Sequence, residues 1–168
     1  MKQILGHIVL IQLAISGHSL VFAQTAPDTV SSSEIEQALK KSKTRGIGVR
    51  AKAKVDLNIP FEINSSSLRP DARAQLEQLE AALQQDSLAI YRFQIAGHTD
   101  ASGSAEYNRR LSRDRAETVR RFLVTRGIDP DRLEVVGNGE DELLLPDWPL
   151  HADNRRVEII NLGERPSN

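Results

Sequence analysis

Between Gly97 and Ala116 the chain reads GHTDASGSAEYNRRLSRDRA, and one of its arginines stands where helical spacing asks for an apolar side chain. At about 100° per residue, Leu111, Val119, Phe122 and Leu123 share one face of a helix, while Arg109, Arg110, Arg113, Asp114, Glu117, Arg120 and Arg121 share the other. Arg115 falls with the apolar group, and Asn108 lies at the N-terminal end of the same stripe. A guanidinium keeps its charge, so a buried one costs several kcal/mol unless an acceptor meets it. Asp100, in the loop feeding this helix, is the nearest acidic residue in sequence. Either Asp100 and Arg115 pair with each other, or both face a shared cleft at the helix N-terminus, where unpaired N–H groups also favour an anion. The second arrangement suits a zwitterion, such as an amino-acid head group with its ammonium on Asp100 and its carboxylate on Arg115. Asn108 would orient that ligand through its amide.

The elements that must hold these residues are legible on either side. VDLNIPF alternates from Val55 to Phe61 and predicts a half-buried strand that Pro60 places at an edge or ends. Pro70 suits the start of a helix carrying Ala72, Leu76, Leu79 and Leu83 on one side. YRFQIA (91–96) predicts a second strand. The Arg115 helix follows and is closed by Gly127, with Pro130 beyond. RLEVVG (132–137) and RRVEIINL (155–162) predict two more strands, separated by a long loop. The order βαβαβ-β implies an α/β sandwich: one four-stranded mixed sheet with two helices packed on one face. Upstream, Ser33 and Glu36 form a capping-box pattern with Ile35, Ala38 and Leu39 on one side of a short helix, and KKSKTRG (40–46) reads as a solvated basic linker.

Residues 1–23 pair Lys2 with an interrupted apolar stretch and small-residue spacing at Val21 and Ala23, the pattern of an export signal cleaved after Ala23. The mature chain would then carry no transmembrane anchor. The expected organisation is a signal over 1–23, a flexible leader over 24–53, a folded domain over 54–163 and a tail over 164–168. With 22 basic against 23 acidic residues, no broad polyanion surface is expected, which argues against nucleic acid as partner. The absence of cysteine removes disulfides, thiol catalysis and cysteine metal sites. His98 with Asp100, and His151 with Asp153, are each two apart, but neither pair has a third ligand at helical spacing, so no metal and no cofactor are expected. His98 is read as hydrogen-bonding within its loop. Ser102, Ser104 and Ser112 lack a nucleophile elbow or an evident base, so no catalytic residue is assigned; a cell-wall hydrolase is the weaker alternative.

GHTDASGSAEYNRRLSRDRAETV, together with NRRVEI and the upstream PFEINSSSLRPDA, resembles the signature of the OmpA-like C-terminal domain family over about residues 54–162. The resemblance implies a non-enzymatic module of the Gram-negative periplasm, associated with the cell wall or outer membrane. Its implied ligand is peptidoglycan, held by the diaminopimelate residue of the stem peptide. It implies principal contacts from Asp100 and Arg115, with secondary contacts from Asn64, Ser102, Asn108 and one of Arg155 and Arg156. Strand alternation sends those two arginines to opposite faces, and sequence alone does not choose between them. The chain departs from the family pattern between Gly139 and Asn154, where Leu143, Leu144, Leu145 and Trp148 are expected to cover the end of the sheet or to meet a partner. A structural subunit of an envelope complex, using wall binding as its anchor, is the alternative function.

Overall fold

A computed structural model describes residues 29–40, 43–45 and 49–166; the expected export signal, part of the basic stretch at 40–46 and the last two residues lie outside the described residues. The elements run α1 (Ser32–Lys40), β1 (Lys43–Arg45), β2 (Val49–Ala51), β3 (Lys54–Leu57), α2 (Ala72–Leu83), β4 (Tyr91–His98), α3 (Ala105–Thr125), β5 (Leu133–Gly139) and β6 (Val157–Glu164). The main sheet has the order β3-β6-β4-β5, with β4 and β5 parallel and β6 antiparallel to both of its neighbours. It is the mixed four-stranded sheet expected from the pattern. Its first strand is shorter: β3 stops at Leu57, and Pro60, which has no N–H to donate, leads instead into a turn closed by a bridge between Phe61 and Leu68.

One face of the sheet presents Leu57, Phe93, Ile95, Leu133, Val157 and Ile159 to the helices, and all six are buried. Leu76, Leu79 and Leu83 of α2 and Ala116, Val119 and Leu123 of α3 fill the space against them. Burying such side chains stabilises by about 1.5 to 3 kcal/mol each. Ile35 and Leu39 of α1 belong to the same core, so three helices pack here and not the two expected. The Gln75 amide ties α1 down by accepting from Val30 N at 2.9 Å and donating to Val30 O at 3.1 Å. Residues expected as flexible leader are therefore part of the packed unit from Val30 to Lys40. Their helix is capped two residues earlier than the pattern suggested, at Ser31 and not Ser33. Ser31 N donates to Glu34, whose own N–H is received by Ser31 Oγ at 3.3 Å, while Glu36 accepts from Ser87 and Lys40. The basic stretch also differs from a plain linker, because β1 pairs antiparallel with β2.

The seat of α3 decides where Arg115 goes. A Cβ on Gly97 would stand 2.0 Å from Ser112 O, and one on Gly137 would stand 2.5 Å from Arg109 O, so the helix lies directly on the backbone of β4 and β5 at these two positions. Ser112 Oγ secures the seat by accepting from Gly139 N at 2.9 Å and donating to Arg109 O at 3.0 Å. With Asn108, Ser112, Arg115, Ala116 and Val119 all turned inward, the first half of α3 puts polar groups over the ends of the strands, and its second half puts aliphatic groups over their middle.

Candidate ligand-binding site

The loop after β4 folds Asp100 back over the N-terminal end of α3, where it is largely buried. Its Oδ1 accepts from Ser102 N at 3.0 Å and from Ser102 Oγ. Its Oδ2 accepts from Arg155 Nη1 at 2.6 Å. Burial alone would raise the Asp100 carboxyl, but the Ser102 and Arg155 donors outweigh it and hold it below the usual range, so the group is a carboxylate. Asn108 Nδ2 donates to the Asp100 carbonyl at 3.3 Å and to Glu140 Oε2 at 2.6 Å. Asp100, Ser102, Asn108 and Arg155 thus form one connected cluster.

Arg115 stands beside that cluster and is not bonded to Asp100. Only 8% exposed, its guanidinium lies over the Phe61 ring at 5.1 Å, and Nε donates to Ser65 O at 3.0 Å. Among the described residues its two Nη groups have no acceptor, and no carboxylate comes within 4.0 Å of it. Burial, followed by the positive charge of Arg155, lowers its pKa from the ordinary arginine value. A guanidinium remains charged through such a shift. The result is a buried cation carrying spare donors, on the wall of a cleft of about 420 Å³ that Phe61, Arg69, Leu144, Asp153 and Arg155 also line. Such a cleft can receive a carboxylate in a bidentate grip at Arg115, with Asp100 close by for a cation.

The remaining candidates separate. Both adjacent arginines line the cleft, but only Arg155 reaches Asp100, whereas Arg156 donates through Nε to Asp56 Oδ1 at 2.6 Å and through both Nη groups to Glu142 O. Asn64 adopts a left-handed φ of 51° in the turn before Ser65. It borders a second, shallower concavity with Tyr107 and Arg110, and the structure does not bring it to Asp100. Phe61, the Ser65 carbonyl and Glu140 were missed in the sequence reading. Phe61 had a usable signal, since it continues the inward alternation of Leu57 and Ile59. Glu140 had none, because a loop defines its position.

Two expectations fail here. The His98 side chain makes no hydrogen bond in its loop: it is fully buried, neither ring nitrogen has a partner among the described residues, and Nε2 stands 3.7 Å from Glu158 Oε2. Of the four residues expected to cover the end of the sheet, Leu143 and Leu145 are half-buried and Leu144 lines the cleft with Leu57 and Ile59, but Trp148 does not cover it. Asn154, itself wholly buried, accepts from Leu145 N at 2.9 Å and donates to Trp148 O at 2.9 Å, which turns the loop outward and leaves Trp148 69% exposed.

The model of the OmpA family matches residues 60–156, more than half of the chain. The chain belongs to the OmpA family. This OmpA-family chain is 32% identical over 128 residues to the outer membrane protein A of Bordetella avium, covering 75% of its own length and 65% of the relative's. It is 38% identical over 101 residues to the peptidoglycan-associated lipoprotein of Pseudomonas aeruginosa, covering 59% of its own length and 58% of that protein. The chain thus spans about three fifths of these curated relatives. The crystal structure of the peptidoglycan-associated lipoprotein of Burkholderia pseudomallei superposes with a TM-score of 0.52 at 32% identity, over 61% of this chain and 87% of that one. The family match includes Asp100, Arg115 and Arg155, and it leaves out α1 and the β1–β2 hairpin.

Proposed function

We propose that this domain binds peptidoglycan without turning it over, gripping the free end of the diaminopimelate side chain and so tying the exported chain to the cell wall of a Gram-negative envelope. The observation that carries the reading is Arg115: a buried cation that has no carboxylate partner among the described residues. The names of the relatives, outer membrane protein A and peptidoglycan-associated lipoprotein, support the same direction. The diaminopimelate tip bears one ammonium and one carboxylate on a single carbon. Its ammonium takes the place of the Arg155 guanidinium at Asp100, and its carboxylate accepts two hydrogen bonds from the Nη groups of Arg115. Arg155 is half exposed and free to turn, so once displaced it follows the ligand carboxylate. Ser102 and Asn108 hold Asp100 in place throughout. No nucleophile or metal step is needed for this capture.

The exposed Trp148 and Leu150, beside a loop that an Ala101 N to Pro149 O hydrogen bond of 2.9 Å pins to the site, favour a second contact with an envelope partner while the wall is bound. Co-sedimentation with purified sacculi tests the main reading. The chain should pellet with diaminopimelate-type sacculi and be released by free diaminopimelate in excess. Recovery in the supernatant at every sacculus concentration would end it. Because Trp148 is the sole tryptophan, its fluorescence reports occupancy of the neighbouring cleft in solution.

A further inference from the structure

On the sheet face away from the helices, and bordering the Arg115 cleft through His98, three ligand-type side chains from three separate elements converge: His98 at the end of β4, Glu158 in β6 and Glu142 in the long loop. One donor atom from each lies within 4.8 Å of the other two. The sequence spacing of histidines excluded a metal because no third ligand stood nearby. Folding supplies it from a distance of 44 residues along the chain in one case and 60 in the other, which no local motif records.

We propose that His98, Glu158 and Glu142 form a binding site for a divalent transition-metal ion of the zinc type. Four observations support it. His98 is 1% exposed and neither ring nitrogen is hydrogen-bonded to any described residue, a costly state for a buried polar group that a metal bond would relieve. Its Nε2 is 3.7 Å from Glu158 Oε2, too long for a hydrogen bond. Two ligands about 2.0 to 2.1 Å from one tetrahedral ion stand about 3.4 Å apart, so a small closure brings this pair to metal-ligand spacing. Imidazole and carboxylate are the donors that zinc accepts in such sites.

The charges balance in the same way. At present the Glu158 carboxylate is met by Lys54 Nζ, whose side chain is half exposed and can return to water. An incoming divalent ion replaces Lys54 and is neutralised by the two glutamates, while Arg156 stays neutralised by Asp56. Arg156 also anchors the Glu142 carbonyl through its Nη groups at 3.3 and 3.2 Å, which keeps that exposed carboxylate beside the other two ligands. Water entering the cleft that His98 lines together with Arg115 would complete the coordination.

The test is calorimetric titration of the chelator-treated chain with zinc chloride, followed by absorption spectroscopy with cobalt(II) as the probe of coordination geometry. One ion per chain should bind, and the melting temperature should rise with zinc. Glu142→Gln, an exposed loop change, should weaken zinc binding at least tenfold while leaving the melting temperature of the metal-free chain unchanged. Lys54→Gln should tighten binding by removing the competing cation, and His151→Ala should leave it unaltered. The proposal is overturned if the chain takes up no zinc at 100 micromolar, if Glu142→Gln binds like the parent, or if binding is lost with His151→Ala instead.

Discussion

Two arginines at opposite ends of the sheet are buried to almost the same degree, Arg115 at 8% exposure and Arg132 at 7%, and each lies over a phenylalanine ring, at 5.1 Å and 5.5 Å respectively. Neither has a carboxylate partner among the described residues. The difference is in their donors. Arg132 gives Nε to Tyr91 O at 3.1 Å, Nη1 to Leu83 O at 3.1 Å and Nη2 to Leu88 O at 2.8 Å, so it ties the end of α2 and the turn after it to the start of β4. Arg115 gives only Nε, and among the described residues neither of its Nη groups meets an acceptor. A buried cation is thus either structural or poised for a ligand according to who receives its hydrogen bonds. Burial alone does not distinguish them.

The sharpest way to break this comparison is to truncate both. Arg115→Ala should cost about 2 to 5 kcal/mol of ligand binding, because the ligand carboxylate enters a cleft without its partner. Thermal unfolding of the free domain should barely change, since little native hydrogen bonding is lost. Arg132→Ala should do the reverse. It strands three backbone carbonyls and should cost about 3 kcal/mol of folding stability, read by urea denaturation, with ligand affinity intact in the folded fraction. Equal stability losses in the two variants would remove the distinction.

Acidification gives a smaller effect on the same contrast. Donors to Asp100 hold its carboxyl below the usual range, so the charged form persists on acidification through the range where ordinary carboxyls protonate. Ligand affinity should stay level through the range where ordinary carboxyls protonate and fall only on further acidification. An affinity that declines steadily from neutrality would show that another group governs binding. The smallest effect belongs to Arg155→Ala, which removes both a competitor for Asp100 and a later contact to the ligand. These losses oppose each other, and calorimetry should show a net change of about 1 kcal/mol or less.

Sequence periodicity made most of the frame legible. The four strands of the main sheet, the helix α2 and the inward position of Asn108 and Arg115 on α3 all follow from alternation and helical spacing, because each is a local pattern locked by one buried face. What escaped depends on distant segments. The docking of α1 through Ile35 and Leu39 needs the surface of α2, and the leader's polar composition hides it. The choice between Arg155 and Arg156 needs the strand's face to be fixed by its neighbours in the sheet. The outward turn of Trp148 depends on Asn154, whose amide holds the loop from several residues away. Glycine contacts beneath α3 were equally silent, although Gly97 and Gly137 set the height at which Arg115 meets the cleft.

The central claim is that Arg115 recognises a carboxylate. Calorimetric titration of the parent chain and of Arg115→Ala with two stem peptides, one carrying diaminopimelate and the other lysine at the same position, isolates that contact. The parent should prefer the diaminopimelate peptide by about 2 kcal/mol or more, and the variant should bind the two peptides alike. A parent that binds both peptides equally, or a preference that survives the loss of Arg115, would contradict the account.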